Sequence, residues 1–395
     1  MTMAEIGPTL NGGSCRLALT EEDAAGRWLL LKWCESIGCT YRVDRIGNLF
    51  IRRSGTRNDL DPVAVGSHLD TQPKGGRFDG ILGVLAGLEI FRTLEEQGAV
   101  TERPLELVIW TSEEGSRFTP AMVASGTYAG EFSVDSTLAR TDKNDVTYRE
   151  ALKSAGFEGE MAVGEPQLKA FFELHIEQGP VLEKEGKSIG VVTGVQGMRW
   201  YDVTFTGQAA HAGPTPMRYR HDALAAAARL IDRLQSIALE DVSGVTKVTC
   251  GCLDIPQSSR NVIPGVVKLT IDLRHVEEGE LDSLQQSFER ELVSCGQAFG
   301  VETKAECIWS SPVINFNADC IDAVEAATRA RSFSYRRMLS GAGHDSVYVS
   351  RVAPTAMIFI PCRDGISHNE AEYATPRHCG QGCQVLADTL LASAG

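Results

Sequence analysis

Separated clusters of histidine and carboxylate residues are the parts of this sequence best suited to chemistry. They supply three imidazoles and several carboxylates, a mixed nitrogen and oxygen donor set that suits zinc, manganese, cobalt or nickel. Such a set could hold two divalent ions that share one bridging carboxylate. Each cluster alone has an ordinary interpretation, such as a strand-end histidine, a turn aspartate or a solvated glutamate pair. The clusters are His68 with Asp79, Glu113-Glu114, His175, and His368.

Short apolar runs place these clusters at the ends of predicted strands. Val63–Gly66 leads into His68, Leu105–Trp110 leads into Glu113-Glu114, and Thr355–Ile360 precedes His368. A glycine-rich loop between the first two runs opens into a predicted helix, Leu82–Leu94. Strand, helix and strand at this spacing indicate a parallel sheet covered by helices. Functional groups of such sheets gather beyond the carboxyl ends of the strands, so we expect the clusters to meet there.

Two of the histidines have partners or faces that the strand period predicts. Asp70 follows His68 by two positions, so it shares a strand face with His68 and could hydrogen-bond the far nitrogen of a metal-bound imidazole. His175 lies in an alternating stretch with Glu173 and Glu177 on one face. A half-exposed edge strand would show the same alternation.

The middle of the chain has a different rhythm, β-α-β-β-α-β, which is typical of a small ferredoxin-like sandwich. It runs from the predicted strand Trp200–Phe205 to the predicted strand Val301–Trp309. We therefore predict an α/β fold with an inserted α+β sandwich. Residues 1–198 and 316–395 would form the two parts of the larger, catalytic domain, and residues 199–315 the insert.

Polar residues of the insert are candidates for binding a small anion. They are His211, Asn261 and Arg274. Arginine grips a carboxylate through two parallel charge-assisted hydrogen bonds, although an isolated arginine is usually a surface residue.

Composition excludes several other classes of protein. The 395 residues carry 38 Lys and Arg against 52 Asp and Glu, so the net charge of −14 disfavours binding to nucleic acid. No apolar run reaches the ~20 residues that a membrane span needs, and the N-terminus lacks a secretory pattern. The eleven cysteines have no regular spacing, which favours reduced thiols in the cytoplasm. Cys379 and Cys383 could belong to a zinc site, but no second cysteine pair lies nearby in the sequence.

The motifs that carry these residues resemble a known family, the dinuclear-metal amidohydrolases related to zinc aminopeptidases and carboxypeptidases. The resemblance covers nearly the whole chain and is greatest for the branch with N-carbamoyl-L-amino-acid hydrolase, β-ureidopropionase and allantoate amidohydrolase. It implies a zinc-peptidase-like catalytic domain, with mixed and parallel strands, and an inserted domain that acts as lid and dimerisation surface. The motifs are Gly66-Ser67-His68-Leu69-Asp70-Thr71, Gly75-Gly76-Arg77-Phe78-Asp79-Gly80, Glu173–Pro180 and the stretch around His211.

The resemblance also implies a role for each residue. One metal ion would be held by His68, Asp79 and His175, and Asp79 would bridge to a second ion held by Glu114 and His368. Glu113 would be the general base and Asp70 would orient His68. His175 favours the carbamoyl-hydrolase branch, because the peptidase relatives usually carry a carboxylate at this position. Substrate would be bound by Gln178, His211, Asn261 and Arg274, with Arg274 on the substrate carboxylate and His211 also stabilising the oxyanion.

From this resemblance we expect a cytoplasmic homodimer with two divalent ions per subunit, zinc or else manganese, cobalt or nickel. It would hydrolyse the carbamoyl C–N bond of a small ureido-carboxylate, an N-carbamoyl L-α-amino acid or N-carbamoyl-β-alanine, to the amino acid, ammonia and carbon dioxide. Allantoate amidohydrolase is the main alternative, since only the pocket would differ. Two further alternatives are a dipeptidase or aminoacylase and a metal-binding scaffold without catalysis.

Overall fold

The computed structural model describes residues 2–256 and 258–395. Its strands are β1 Thr40–Val43, β2 Leu49–Arg53, β3 Val63–His68, β4 Leu105–Trp110, β5 Ala170–Ile176, β6 Ile189–Val195, β7 Gly197–Thr206, β8 Ala210–His211, β9 Lys247–Asp254, β10 Val262–Ile263, β11 Val266–His275, β12 Glu302–Ser311, β13 Ile314–Asn315, β14 Tyr335–Ser340 and β15 Thr355–Ile360. Its α-helices are α1 Glu21–Glu35, α2 Ile81–Glu96, α3 Val123–Tyr128, α4 Val134–Leu138, α5 Tyr148–Ala155, α6 Val181–Lys184, α7 Ala223–Glu240, α8 Glu278–Phe299, α9 Ala318–Ala330, α10 Ser346–Val349 and α11 Pro376–Ala394.

The chain forms two compact units, and the second is a continuous insertion, Val195–Ile314, in the first. The first unit contains a nine-stranded mixed sheet in the order β1-β2-β4-β3-β5-β15-β6-β13, with β14 paired to β6. Its centre is parallel, because β3 pairs in parallel with β4 and β5, and β15 in parallel with β5. The carboxyl ends of these four strands therefore lie at one edge of the sheet.

Burial on both faces explains why these strands read as continuous apolar runs. Every residue of β3, β4, β5 and β15 is buried. On one face α2 packs against β3 and β5, and α11 packs against α2, α9 and β15. On the other face a cluster that includes Phe50, Trp110, Tyr128 and Phe171 fills the core. The strand ends are thus held by packing on both sides.

The inserted unit is a four-stranded antiparallel sheet in the order β12-β7-β11-β9. Helices α7 and α8 pack together and supply one side of its core, with Leu230, Leu284 and Phe288 among the buried residues. A separate two-stranded ribbon joins β8 to β10.

The α/β fold and its inserted α+β sandwich were predicted from the sequence, and the fold class is confirmed. Several local predictions need correction. The predicted strand that ends at Gly66 continues to His68. The edge strand, which was the ordinary alternative for the alternating stretch around His175, does not apply, because β5 lies between β3 and β15. The helix α11 is not among the predicted elements, and it completes the cover of the sheet. Among the described residues, no helix is both long and apolar enough to cross a membrane.

Candidate metal centre

Four strands of the parallel core deliver the predicted donors to one edge of the sheet. His68 is the last residue of β3, His175 lies one residue before the end of β5, and the glutamate pair follows β4. The bridging candidate, Asp79, lies in the loop that leads into α2, and His368 lies in the loop after β15. The structure therefore brings together residues that are as far as 300 positions apart in the sequence, His68 and His368.

Asp79 faces two donor groups with its two carboxylate oxygens. Its Oδ1 lies 3.4 Å from Nε2 of His68 and 3.1 Å from Nε2 of His175. Its Oδ2 lies 3.6 Å from Nε2 of His368, and that nitrogen lies 3.4 Å from Oε2 of Glu114. Ligand atoms of His68, Asp79 and His175 form one group within 4.8 Å of one another, and those of Asp79, Glu114 and His368 form another. Asp79 is the member that the two groups share.

The buried imidazoles point the same nitrogen into the cluster. Nδ1 of His68 lies 2.9 Å from the backbone oxygen of Asp70, and Nδ1 of His175 lies 2.9 Å from that of Ile176. A carbonyl oxygen can only accept, so Nδ1 carries the proton in each neutral ring and Nε2 keeps a lone pair. The backbone amide of Gly80 donates to Nε2 of His175 at 3.1 Å, in keeping with that tautomer.

Glycine at position 80 is required by the close approach of the loop to His68. Its φ is +69°, and a Cβ there would lie 2.4 Å from the His68 ring. Any side chain would therefore strain the backbone and displace a donor of the cluster. The glycine-rich loop of the sequence motif serves this approach.

The electrostatics of the cluster call for added positive charge. Burial, followed by the neighbouring Asp345 and Glu114, raises the pKa of Glu113 well above its usual range. Burial and Asp79 raise the pKa of Glu114 to about 8. Burial acts in the same direction on Asp79, but without a metal ion the protonated forms of His175 and His68 outweigh it and hold the pKa of Asp79 well below normal. Buried carboxylates at this density are stable as ions only beside cations. Divalent ions between imidazole nitrogens and carboxylate oxygens fit the donors present.

Glu113 lies beside these donor groups without belonging to either. Its side chain is buried, and its Oε2 lies 3.5 Å from Nε2 of His68. This location suits a carboxylate that exchanges a proton with a reacting water.

Asp70 does not meet His68 in the way that the sequence indicated. Its carboxylate Oδ1 lies 4.0 Å from Nδ1 of His68, and the short contact is made by its backbone oxygen instead. The two carboxylate oxygens accept the backbone amides of Glu113 and Glu114, each at 3.2 Å. The side chain of Asp70 therefore orients the glutamate pair.

Gln178 is the one predicted substrate residue in the same unit as these donors. Its φ of +57° is unusual for a residue with a side chain, and its Nε2 donates to Oδ2 of Asp79 at 2.8 Å. Its Oε1 is buried and has no hydrogen-bond partner. An orphaned acceptor beside the cluster is a place for a substrate N–H group.

The other three predicted substrate residues lie in the inserted unit. His211 and Asn261 come together at the β8–β10 ribbon, where the amide of Ala212 donates to the backbone oxygen of Asn261 at 2.9 Å. Arg274 lies on β11, and its Nε and Nη2 donate to Asp272 at 2.9 and 2.6 Å.

Sequence reasoning missed residues that hold the donors in place. Gln72 donates from Nε2 to Oε2 of Glu114 at 2.8 Å and from its backbone amide to Oε1 at 3.1 Å. Glu372 and Ser367 contact the Asp79 loop. None of the three belongs to a metal-ligand pattern, so no signal in a single sequence singles them out.

The cysteine pair does not form a metal site with other donors. Among the described residues, the groups that could hold a metal ion contain no cysteine. Burial raises the pKa of Cys379 and of Cys383 to about 11, which keeps both thiols protonated.

The fold and the donor set define a metal-dependent hydrolase built on a parallel-centred sheet with an inserted sandwich. Comparison with known proteins confirms this class. Residues 64–392 match the peptidase family M20/M25/M40, and the chain belongs to that family.

Individual relatives extend over nearly the whole chain. An N-carbamoyl-L-amino-acid amidohydrolase of Rhizobium meliloti is 42% identical over 394 residues, which cover 100% of this chain and 94% of that protein. An allantoate amidohydrolase of Bacillus subtilis is 33% identical over 98% of this chain and 94% of that protein. The crystal structure of an amidase of the hydantoinase/carbamoylase family from Burkholderia multivorans is 49% identical, covers 100% and 96%, and superposes with a TM-score of 0.95. The resemblance recognised in the sequence is thus confirmed, as is the expectation of a C–N bond hydrolase.

Proposed function

We propose that this protein hydrolyses the carbamoyl C–N bond of an N-carbamoyl amino acid and releases the amino acid, ammonia and carbon dioxide. The observation that carries the proposal is the position of Asp79 between two donor groups, with Glu113 beside them. The names of the relatives support the choice of bond and substrate class.

We infer that one divalent ion is held by His68, Asp79 and His175 and a second by Asp79, Glu114 and His368. When bound, such ions polarise a carbonyl oxygen and lower the pKa of water toward about 7. Zinc is favoured by the imidazole-rich donor set, and manganese, cobalt and nickel also accept it.

Glu113 is the residue that we assign to proton transfer. Its carboxylate is buried, and its backbone is held by Asp70. A carboxylate so placed accepts a proton from the attacking water and returns it to the departing nitrogen, which becomes ammonia.

The remaining polar residues bind the substrate in this proposal. The orphaned Oε1 of Gln178 accepts an N–H of the ureido group. Arg274 binds the substrate carboxylate through its guanidinium fork. His211 donates to the developing oxyanion, and loss of one such donor typically costs ~2.7–4 kcal/mol. Asn261 supplements these contacts from the same ribbon as His211.

Allantoate remains the second candidate substrate, because a relative that is 33% identical is an allantoate amidohydrolase. Allantoate carries both a carboxylate and ureido groups, so the same polar residues would serve it. The dimeric state through the inserted unit and the cytoplasmic location stay predictions.

The test measures, on the metal-loaded protein, ammonia release from the ureido substrates and release of free amino acids from a dipeptide. N-carbamoyl-L-α-amino acids, N-carbamoyl-β-alanine, allantoate and a dipeptide are compared in parallel. Highest kcat/KM on an N-carbamoyl amino acid supports the proposal. If kcat/KM is highest on allantoate, allantoate is the substrate. If only the dipeptide is turned over, both candidate substrates are refuted.

A further inference from the structure

The loop that carries His368 is fastened to the loop that carries Asp79 by one side chain, Glu372. Its Oε1 accepts the backbone amides of Phe78 at 2.9 Å and of Asp79 at 3.1 Å. Its Oε2 lies 2.9 Å from the hydroxyl oxygen of Ser367. One carboxylate thus joins segments that are almost 300 residues apart in the sequence.

The surroundings of the Glu372 side chain favour these hydrogen bonds. Glu372 is 5% exposed, so its carboxylate is removed from water and depends on these partners. Gly76 lies directly against it, because a Cβ at that position would come 2.0 Å from Oε1 of Glu372. The second glycine of the Gly75-Gly76 pair in the sequence motif therefore makes room for the Glu372 side chain.

Ser367 completes the connection on the side of His368, its immediate neighbour. Its hydroxyl oxygen lies 2.8 Å from Oδ2 of Asp79 as well as 2.9 Å from Glu372. Oδ2 is also the Asp79 oxygen that faces His368. The connection therefore acts on the side of Asp79 that belongs to the second donor group.

His368 depends on its loop for its position more than the other donors do. Its side chain is 51% exposed, whereas those of His68 and His175 are 2% and 1% exposed. Its φ of +53° lies in the left-handed region, which is costly for a residue with a side chain. Packing holds the two strand histidines, but tethering of the loop must hold His368.

We propose that Glu372 is a positioning residue that docks the His368 loop on the Asp79 loop and thereby sets the affinity of the second metal site more than that of the first. The inference rests on the two-ion centre of the proposed function. Residues that orient metal ligands without touching the metal typically contribute ~10–100-fold in affinity or activity.

The experiment measures zinc binding by calorimetry on the full-length metal-free protein, for the wild type and two variants. For Glu372→Ala we expect the second equivalent of zinc to bind about 10–100-fold more weakly, with a smaller effect on the first equivalent. Glu372→Gln keeps an oxygen for the two amides and an amide group that faces the Ser367 hydroxyl. It should recover most of the affinity for the second ion.

A matched control separates this role from a general loss of loop order. Asp241, in the inserted unit, also accepts two backbone amides, those of Ser243 at 2.8 Å and Thr246 at 2.9 Å. Asp241→Ala should leave the affinities of both ions unchanged.

Failure of the two-ion centre and failure of the role of Glu372 give different results. If the wild type binds fewer than two equivalents of zinc, the two-ion centre itself is wrong. If the wild type binds two and Glu372→Ala weakens neither, or weakens both equally, the centre stands and the role of Glu372 is refuted.

Discussion

The carboxylate of Glu113 lies 3.5 Å from Nε2 of His68, the nitrogen that we assign to a metal ion. The first group of candidate ligands nevertheless consists of His68, Asp79 and His175, without Glu113. Glu113 therefore adjoins the candidate metal ligands without being one of them. A substitution of Glu113 can for that reason change proton transfer and leave metal binding intact.

Replacement of Glu113 by glutamine should abolish turnover and spare metal binding. The amide keeps the size of the side chain but cannot accept a proton, and a positioned general base typically contributes 10²–10⁴-fold, so we expect kcat to fall by roughly that factor. The measurement is ammonia release together with metal content of the purified variant. Near-normal kcat with full metal content would remove Glu113 from its assigned role.

Asp70→Asn should act through the glutamate pair rather than through His68. Asparagine keeps one acceptor oxygen and turns an N–H₂ group toward the other backbone amide, so the loop that carries Glu113 and Glu114 must shift. We expect kcat to fall by ~10–100-fold and the second ion to bind more weakly than in the wild type. Selective loss of the first ion would instead restore the role that the sequence indicated, orientation of the His68 ring.

Arg274→Ala should raise KM for every substrate that carries a carboxylate. Hydrogen bonds to charged groups are worth about 1.5–3 kcal/mol, which corresponds to a KM increase of roughly 10–100-fold. Arg274→Lys restores the charge but not the two-pronged geometry, so its KM should lie between those of the wild type and the alanine variant. An unchanged KM in both variants would place the substrate carboxylate elsewhere.

Arg27→Met should destabilise the first unit strongly. Arg27 and Asp23 form an ion pair with both side chains 0% exposed, and Arg27 also donates to the backbone oxygen of Gly47 and to Thr111. Removal of one partner of a buried pair costs about 3–5 kcal/mol of unfolding free energy, because the other charge is left without compensation.

Urea unfolding of the metal-loaded protein measures this change. Arg57→Met, which removes an exposed ion pair with Asp59, is the matched control and should unfold close to the wild type. A loss for Arg27→Met as small as that of the control would show that the buried pair contributes no net stability.

Short-range patterns were sufficient to predict much of the fold and to single out the histidine and carboxylate clusters that the structure brings together. Strand ends that combine an apolar run with His68 or with Glu113-Glu114 can be recognised locally, because the run identifies the strand and the polar residues mark its end. The buried position of β5 could not be recognised in this way, since alternation is the same for an edge strand and for a strand whose polar residues are buried in a cluster.

Short-range patterns could not predict contacts between residues that are far apart in the sequence. The carboxylate of Glu173 is fully buried, and Ser67 and Ser346 compensate its loss of water by donating to it at 2.7 and 2.6 Å. Neither serine is near Glu173 in the sequence. Asp70 was assigned to His68 because strand periodicity relates only residues of one strand. Its actual partners, the amides of Glu113 and Glu114, come from the neighbouring segment of the sheet.

The most direct test of the central claim is a crystal structure of the zinc-loaded protein with anomalous diffraction recorded at the zinc edge. The shared position of Asp79 predicts two anomalous peaks, one on each side of its carboxylate, the first ligated by His68 and His175 and the second by Glu114 and His368. A single peak, or two peaks without Asp79 between them, would contradict the account.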